Sequence, residues 1–237
     1  MQDSLGDTLK VLEDKSTFYH DVNLPLYIRL DGRSFSKVTK KMEKPYSVDF
    51  ISVMQATTEE LMHEFSIDMG FCQSDEISLV LLPRKTDGFT YPFAGRQNKI
   101  LSVFASAATQ NFIKAYGKRF EDEPVRNIHF DARSISLTPE ETALMFMWRH
   151  KDATRNAILQ YAHNCGKFSK KSLHGVKTSQ VLEMIEDAGV DWYYDVNEYF
   201  RLGTFFETFT NITENDNGVT TRKVLRKFTL DRSFQYV

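Results

Sequence analysis

Met69-Gly70-Phe71-Cys72-Gln73-Ser74-Asp75-Glu76-Ile77-Ser78-Leu79-Val80-Leu81-Leu82 consists of two apolar runs separated by one short polar segment. Strand-forming residues on both sides of a polar tip read as a β-hairpin, with Asp75 at the tip. Upstream, Phe50, Met54, Thr57 and Leu61 recur at helical spacing from Ser47 to about His63, an amphipathic helix. Before that helix, residues 24–30 are apolar and rich in strand formers, and they run into Asp31-Gly32, a buried strand ending in a turn. Downstream, Pro83 and Asp87-Gly88 break the chain, and Ile100, Val103, Phe104, Ala107 and Phe112 mark a helix over 99–115. Ile128, Phe130 and Ile135 then mark a strand over 127–137.

The resulting order is strand, helix, strand, strand, helix, strand, which is the split βαβ arrangement of ferredoxin-like folds. The fold class expected is therefore α+β. Residues 1–137 form the ferredoxin-like domain, and residues 138–237 form an appended helical lobe packed on it as one unit. The lobe opens on Thr138-Pro139-Glu140-Glu141, a capping box with proline at the first helical position. A helix to Met147, a second over 151–163 and a third over 179–187 stopped by Gly189 follow. A strand pair near 199–209 and 223–230 closes the chain.

The 237 residues carry 41% apolar and 26% charged side chains, with nineteen Phe and ten Tyr, enough for a sizeable core. A formal net charge of −2 supplies no general attraction to a polyanion. A nucleic acid would have to meet local patches such as Lys37/Lys40/Lys41/Lys44, Lys167/Lys170/Lys171 or Arg222/Lys223/Arg226/Lys227. Two cysteines, Cys72 and Cys165, exclude a disulfide framework and a cysteine-based zinc site. No stretch is long and apolar enough for a membrane span, and no signal-peptide pattern opens the sequence, so the cytoplasm is the expected compartment.

The chemistry narrows to carboxylates. Asp31 ends the first strand and Asp75 tips the hairpin, and in a ferredoxin-like sheet those strands are neighbours. Two converging carboxylates suit Mg²⁺, which takes oxygen ligands at about 2.0–2.1 Å and keeps waters or substrate phosphates. A pair of such ions about 3.5–4 Å apart supports phosphoryl-type transfer. Gly32 lets its backbone carbonyl approach a metal, and Glu76 adds a further charge. No HExxH, P-loop or dinucleotide signature is present, and no serine or cysteine has a neighbouring base in sequence.

Tyr27-Ile28-Arg29-Leu30-Asp31-Gly32-Arg33-Ser34-Phe35, Lys44-Pro45 and Phe71-Cys72-Gln73-Ser74-Asp75-Glu76-Ile77-Ser78 resemble the tRNA-His guanylyltransferase family and its related 3′-to-5′ polymerases. Phe130-Asp131-Ala132-Arg133, Trp148-Arg149-His150-Lys151-Asp152 with Asn156, and Phe200-Arg201-Leu202-Gly203-Thr204 extend the resemblance to about Phe206. It implies a polymerase-palm domain and a Mg²⁺-dependent nucleotidyltransferase that uses ATP and GTP as substrates. The 5′ end of a tRNA is activated by a nucleoside triphosphate, and the 3′-hydroxyl of an incoming nucleotide then attacks it. The resemblance makes Asp31, Gly32 and Asp75 ligands of two metal ions, with Glu76 beside them. Lys44, Ser74 and Lys99 surround the triphosphate, next to Arg33, Ser34 and Phe35. Arg133, Arg149, Asp152, Asn156 and Arg201, with the basic pair Lys170 and Lys171, become the candidates for tRNA contact, and a homotetramer is implied. Thr154 stands where the eukaryotic pattern has histidine, and Leu202 where lysine is usual, as in the bacterial, archaeal and viral-like branch. The alternatives are a palm-fold cyclase or phosphotransferase acting on free nucleotides, and an inactive RNA-binding module.

Overall fold

In the computed structural model, residues 4–84, 91–121, 125, 127–215 and 218–230 are described. The Asp87-Gly88 break lies outside them. The elements are α1 (Ser4–Asp14), β1 (Leu26–Gly32), α2 (Ser36–Thr39), α3 (Val48–Glu64), β2 (Met69–Gln73), β3 (Glu76–Leu81), α4 (Gln97–Arg119) and β4 (Phe130–Ser136). They are followed by α5 (Pro139–Asn164), α6 (Lys170–Leu173), α7 (Thr178–Asp187), α8 (Glu198–Leu202), β5 (Thr204–Asn215) and β6 (Gly218–Phe228). One six-stranded sheet has the order β4-β1-β3-β2-β5-β6. Its first four strands are the expected α+β split motif, antiparallel at each of their junctions.

Alternation along the strands decides which helix covers which face. Leu26, Ile28 and Leu30 of β1 join Ile77, Leu79 and Leu81 of β3 in a core under α3 and α4. The intervening Tyr27 and Val80 point the other way, where Phe71, Phe146 and Phe205 complete a second cluster beneath α5. Tyr27 Oη and Ser78 Oγ are 2.8 Å apart within that buried layer, so each polar group is satisfied. A third cluster of Ala157, Ile158, Val181, Ile185, Trp192 and Phe200 holds α5, α7 and α8 together.

The lobe departs from the sequence-based expectation in two places. Residues 139–164 form one continuous helix rather than two, because Phe146, His150, Ala153 and Ala157 keep a single buried stripe through the middle. Its predicted start is observed in full: Thr138 Oγ1 accepts from Glu141 N, and Glu141 accepts from Thr138 N. Residues 199–202 are helical rather than extended, since the Asn197 side chain caps them by accepting from Tyr199 N and Phe200 N. The strand starts only after Gly203, whose φ of 72° turns the chain. β5 then pairs with β2, and Gln55 Nε2 donates to Thr204 Oγ1 at 2.9 Å, tying α3 to the new strand.

A segment before β1 is pinned to the β4 edge by His20. Its ring nitrogens lie 2.8 Å from Ser134 Oγ and 3.2 Å from Ser136 Oγ, and burial lowers its pKa. Burial lowers the pKa of His150 as well.

Two outcomes follow. A Cβ at Gly203 would stand 2.5 Å from the Phe71 ring and 3.0 Å from Cys72 O, at a backbone angle that favours glycine. Gly203→Ala is expected to cost about 2–4 kcal/mol, read as the urea unfolding midpoint. A histidine whose folded pKa is depressed contributes stability above its unfolded pKa of 6.5, and that contribution is lost as pH falls below it. Stability is therefore expected to drop below about pH 6.5, and His20→Gln should flatten that slope in pH-resolved denaturant titrations.

Candidate active site

The end of β1 brings the acidic residues together. Asp31 pairs across the sheet with Glu76 of β3 on one side and with Asp131 of β4 on the other. The next backbone group, Gly32 N–H, donates to Asp75 O at 2.9 Å, which fastens the hairpin tip to the strand end. Gly32 has no room for a side chain, since a Cβ there would lie 2.5 Å from the Phe35 ring. That ring is itself fixed, with centroids 4.9 Å from Phe112 and 5.0 Å from Phe130. Ser34 and Ser74 both adopt left-handed backbone, with φ of 60° and 54°. Non-glycine residues in that region cost energy and gather at functional sites.

The charges around this tip differ in how they are neutralised. Among the described residues neither Asp31 nor Asp75 has a cationic side chain within ion-pair distance. Burial pushes the Asp75 carboxyl above the ordinary carboxylate range and the neighbouring Asp31 adds to it, while the backbone and the Ser74 hydroxyl, 3.1 Å from Oδ1, oppose. Glu76 is the opposite case. Both its oxygens accept from Arg149 Nε and Nη2 at 2.6 Å, and Arg29 Nε stands 3.6 Å away. Burial still raises its pKa, with the two guanidinium groups working against the shift. Arg149 also faces Asp152 at 3.3 Å, and Asp152 accepts from Arg155 and Asn156.

Beside Asp75 a cavity of about 240 Å³ opens between the α3 face of the sheet and the lobe. Phe35, Phe50, Met54 and Cys72 make its apolar wall; Lys44, Ser74, Asp75 and Gln160 supply polar groups. Lys44 Nζ donates to Thr39 O at 3.1 Å, and Tyr46 stacks on Phe200 with centroids 4.4 Å apart, closing one side. Burial pushes the Cys72 thiol up to about 12, so it is a wall and not a nucleophile.

The candidates chosen from sequence divide between this site and other surroundings. Asp31, Gly32, Phe35, Ser74, Asp75 and Glu76 converge, and Lys44 lines the cavity. Arg33 and Ser34 are exposed at the strand end, and Lys99 is exposed in the first turn of α4, outside the cavity wall. Arg133, Asn156, Lys170 and Lys171 face solvent. Arg149, Asp152 and Arg201 are held by the protein itself; Arg201 is buried and donates to Val196 O and Tyr193 O. Sequence reasoning missed Arg29, Tyr46 and Gln160. The alternation of β1 placed Arg29 on the face of Asp31, but nothing in one sequence brings Gln160 of α5 to this cavity.

The donor set fits a divalent cation. Two adjacent carboxylates without a cationic partner among the described residues, next to a glycine, match an ion that binds through one or two carboxylates and retains water. No group of three or more His, Cys, Asp or Glu among the described residues is placed to cage a metal on its own.

Residues 7–138 match the family model for tRNAHis guanylyltransferase. Protein R259 of Acanthamoeba polyphaga mimivirus is 31% identical over 211 residues, covering 79% of this chain and 71% of that protein. The tRNA(His) guanylyltransferase of Saccharomyces cerevisiae is 27% identical over 205 residues, covering 78% of this chain and 84% of the yeast enzyme. A bacterial tRNA(His) guanylyltransferase-like protein solved in complex with ATP superposes with a TM-score of 0.78 at 25% identity, over 92% of each chain.

Relief of the carboxylate repulsion is measurable. Asp75→Asn is expected to raise the melting temperature of the cation-free protein and to abolish the stabilisation that added Mg²⁺ gives the unaltered chain. Differential scanning fluorimetry with and without Mg²⁺ checks both halves.

Proposed function

The chain belongs to the tRNAHis guanylyltransferase family, and we propose that it adds nucleotides to the 5′ end of a tRNA in the 3′-to-5′ direction. The observation that carries this reading is the Asp31/Asp75 pair, unneutralised among the described residues, with Asp75 lining a cavity that also presents Lys44. In the proposal Asp31, Asp75 and the Gly32 carbonyl hold two Mg²⁺ ions, which when bound neutralise the phosphates and leaving pyrophosphate.

The chain's own residues supply the rest. The aromatic and Met54 wall buries a nucleobase, and Lys44 meets the triphosphate as a point charge. Ser74 offers a hydrogen bond at the phosphate end, and in the proposal the exposed Arg33, Ser34 and Lys99 reach the triphosphate from outside the cavity wall. Glu76 serves as a positioning residue, since both its oxygens are already engaged by Arg149. A bacterial tRNA(His) guanylyltransferase-like protein was solved with ATP and with GTP, which supports either nucleotide as the activating triphosphate.

The tRNA would lie across the solvent-facing Arg133, Asn156, Lys170 and Lys171. A net charge of −2 makes pooled patches attractive, and we propose a homotetramer for that reason. Residues 1–137 are assigned to the catalytic palm and 138–237 to the lobe packed on it. Two free cysteines fit a reducing cytoplasm.

The test incubates the protein with Mg²⁺, ATP, labelled GTP and two 5′-monophosphorylated tRNAs, a full-length tRNA-His and one lacking its first nucleotide. Label at a 5′ end is expected, and extension of the truncated RNA alone would assign a repair role. Cyclic nucleotide without labelled RNA would replace the reading with a cyclase, and no product at all with a binding module. Asp75→Asn should lower transfer by at least about 10³-fold, and Lys44→Ala should raise the KM for nucleotide roughly tenfold.

A further inference from the structure

Trp148 lies mid-way along α5 with 51% of its surface exposed, although its neighbours Phe146 and His150 are buried. Leu144, one turn earlier, is 61% exposed and extends the apolar strip. The Arg149 guanidinium carbon sits 4.7 Å from the indole centroid. The same guanidinium grips both oxygens of Glu76, and Glu76 pairs directly with Asp31. The indole is thus held by a cation that is itself anchored to the carboxylate cluster, and the remainder of the ring is open.

Its place relative to the cavity matters. The cavity wall is built from Phe35, Phe50, Met54 and Cys72, which belong to the α3 face of the sheet. Arg29, Asp31 and Glu76 lie on the α5 face, and Arg149 links Glu76 to Trp148 there. The carboxylates therefore separate a recessed, base-sized cavity from an open aromatic surface. Joining two nucleotides at one centre needs a seat for each base. An exposed indole beside guanidinium groups is a stacking surface tolerant of base identity.

We propose that Trp148 is the stacking platform for the nucleobase at the 5′ end of the RNA substrate. This rests on the nucleotidyltransferase reading and adds the RNA-side base seat to it. An open surface suits the end of a long RNA, whereas the recessed cavity suits a free nucleotide.

The experiment uses the full chain and follows the acrylamide-accessible tryptophan emission. Of the two tryptophans, Trp192 is buried, so that component reports Trp148. A 5′-monophosphorylated acceptor-stem hairpin is expected to protect it from acrylamide. Trp148→Ala should weaken hairpin affinity and raise the RNA KM roughly tenfold, leaving the KM for ATP unchanged. Trp148→Phe should retain affinity within about threefold, which a role limited to shielding the Arg149–Glu76 pair does not predict. Unchanged RNA affinity in Trp148→Ala would overturn the proposal. So would protection by GTP alone, which assigns the incoming nucleotide instead, or protection that tracks protein concentration without RNA, which assigns a second copy. Protection by the hairpin with no transfer by the unaltered protein would sink the transferase reading and support the stacking assignment.

Discussion

Two carboxylates are forced together at the end of β1, and most of the surrounding structure is arranged around that repulsion. The hydrogen bond from Gly32 N–H to Asp75 O sets the spacing, and the β1–β3 register sets the neighbours. In an antiparallel pair like charges directly opposite destabilise the sheet, yet Asp31 faces Glu76 on one side and Asp131 on the other. A fold selected only for stability would place a lysine or an apolar residue there. The unfavourable arrangement survives because the rest of the core over-determines it.

Two supports do this from opposite faces. On the α3 side, Phe35 fills the space a Gly32 side chain would occupy and locks against Phe112 and Phe130. The strand end cannot retreat inward. On the α5 side, Arg149 neutralises Glu76 with a bidentate contact at 2.6 Å, while Asp31 and Asp75 have no cationic partner among the described residues. Neutralising Glu76 through Arg149, with Arg133 3.8 Å from Asp131, concentrates the negative potential at Asp31 and Asp75, where a cation is wanted.

What could be read in the sequence follows from where each signal resides. Strand alternation, the polar hairpin tip and the Thr138 capping box are local, so the split motif and the start of α5 were legible. The approach of Asp31 to Asp75 was legible because strand order implies it. The continuity of α5 was not: Trp148-Arg149-His150 interrupts the apolar pattern locally, and only packing against Phe71 and Phe205 shows His150 to be an inward residue. The cavity was also illegible, since Gln160, Tyr199 and Phe200 reach it from elements more than a hundred residues from Phe35. Arg149 and Arg201 show the same limit from the other side. A basic residue in sequence carries no mark of whether its charge is spent inside the protein, and both are.

The lobe is therefore part of the site rather than an attachment to it. β5 extends the sheet beyond β2, the Gln55–Thr204 bond crosses that junction, and α5 reaches from the Glu76 ion pair at Arg149 to the cavity at Gln160. From Arg149 to Gln160 the helix rises about 17 Å at 1.5 Å per residue, so one rigid element touches both the Glu76 ion pair and the cavity. A shift of α5 would alter the neutralisation of Glu76 and the shape of the cavity together. Coupling of this kind needs no moving parts beyond a helix seated on two faces of one cluster, held there by the aromatic cluster of Tyr27, Phe71, Phe146 and Phe205 beneath it.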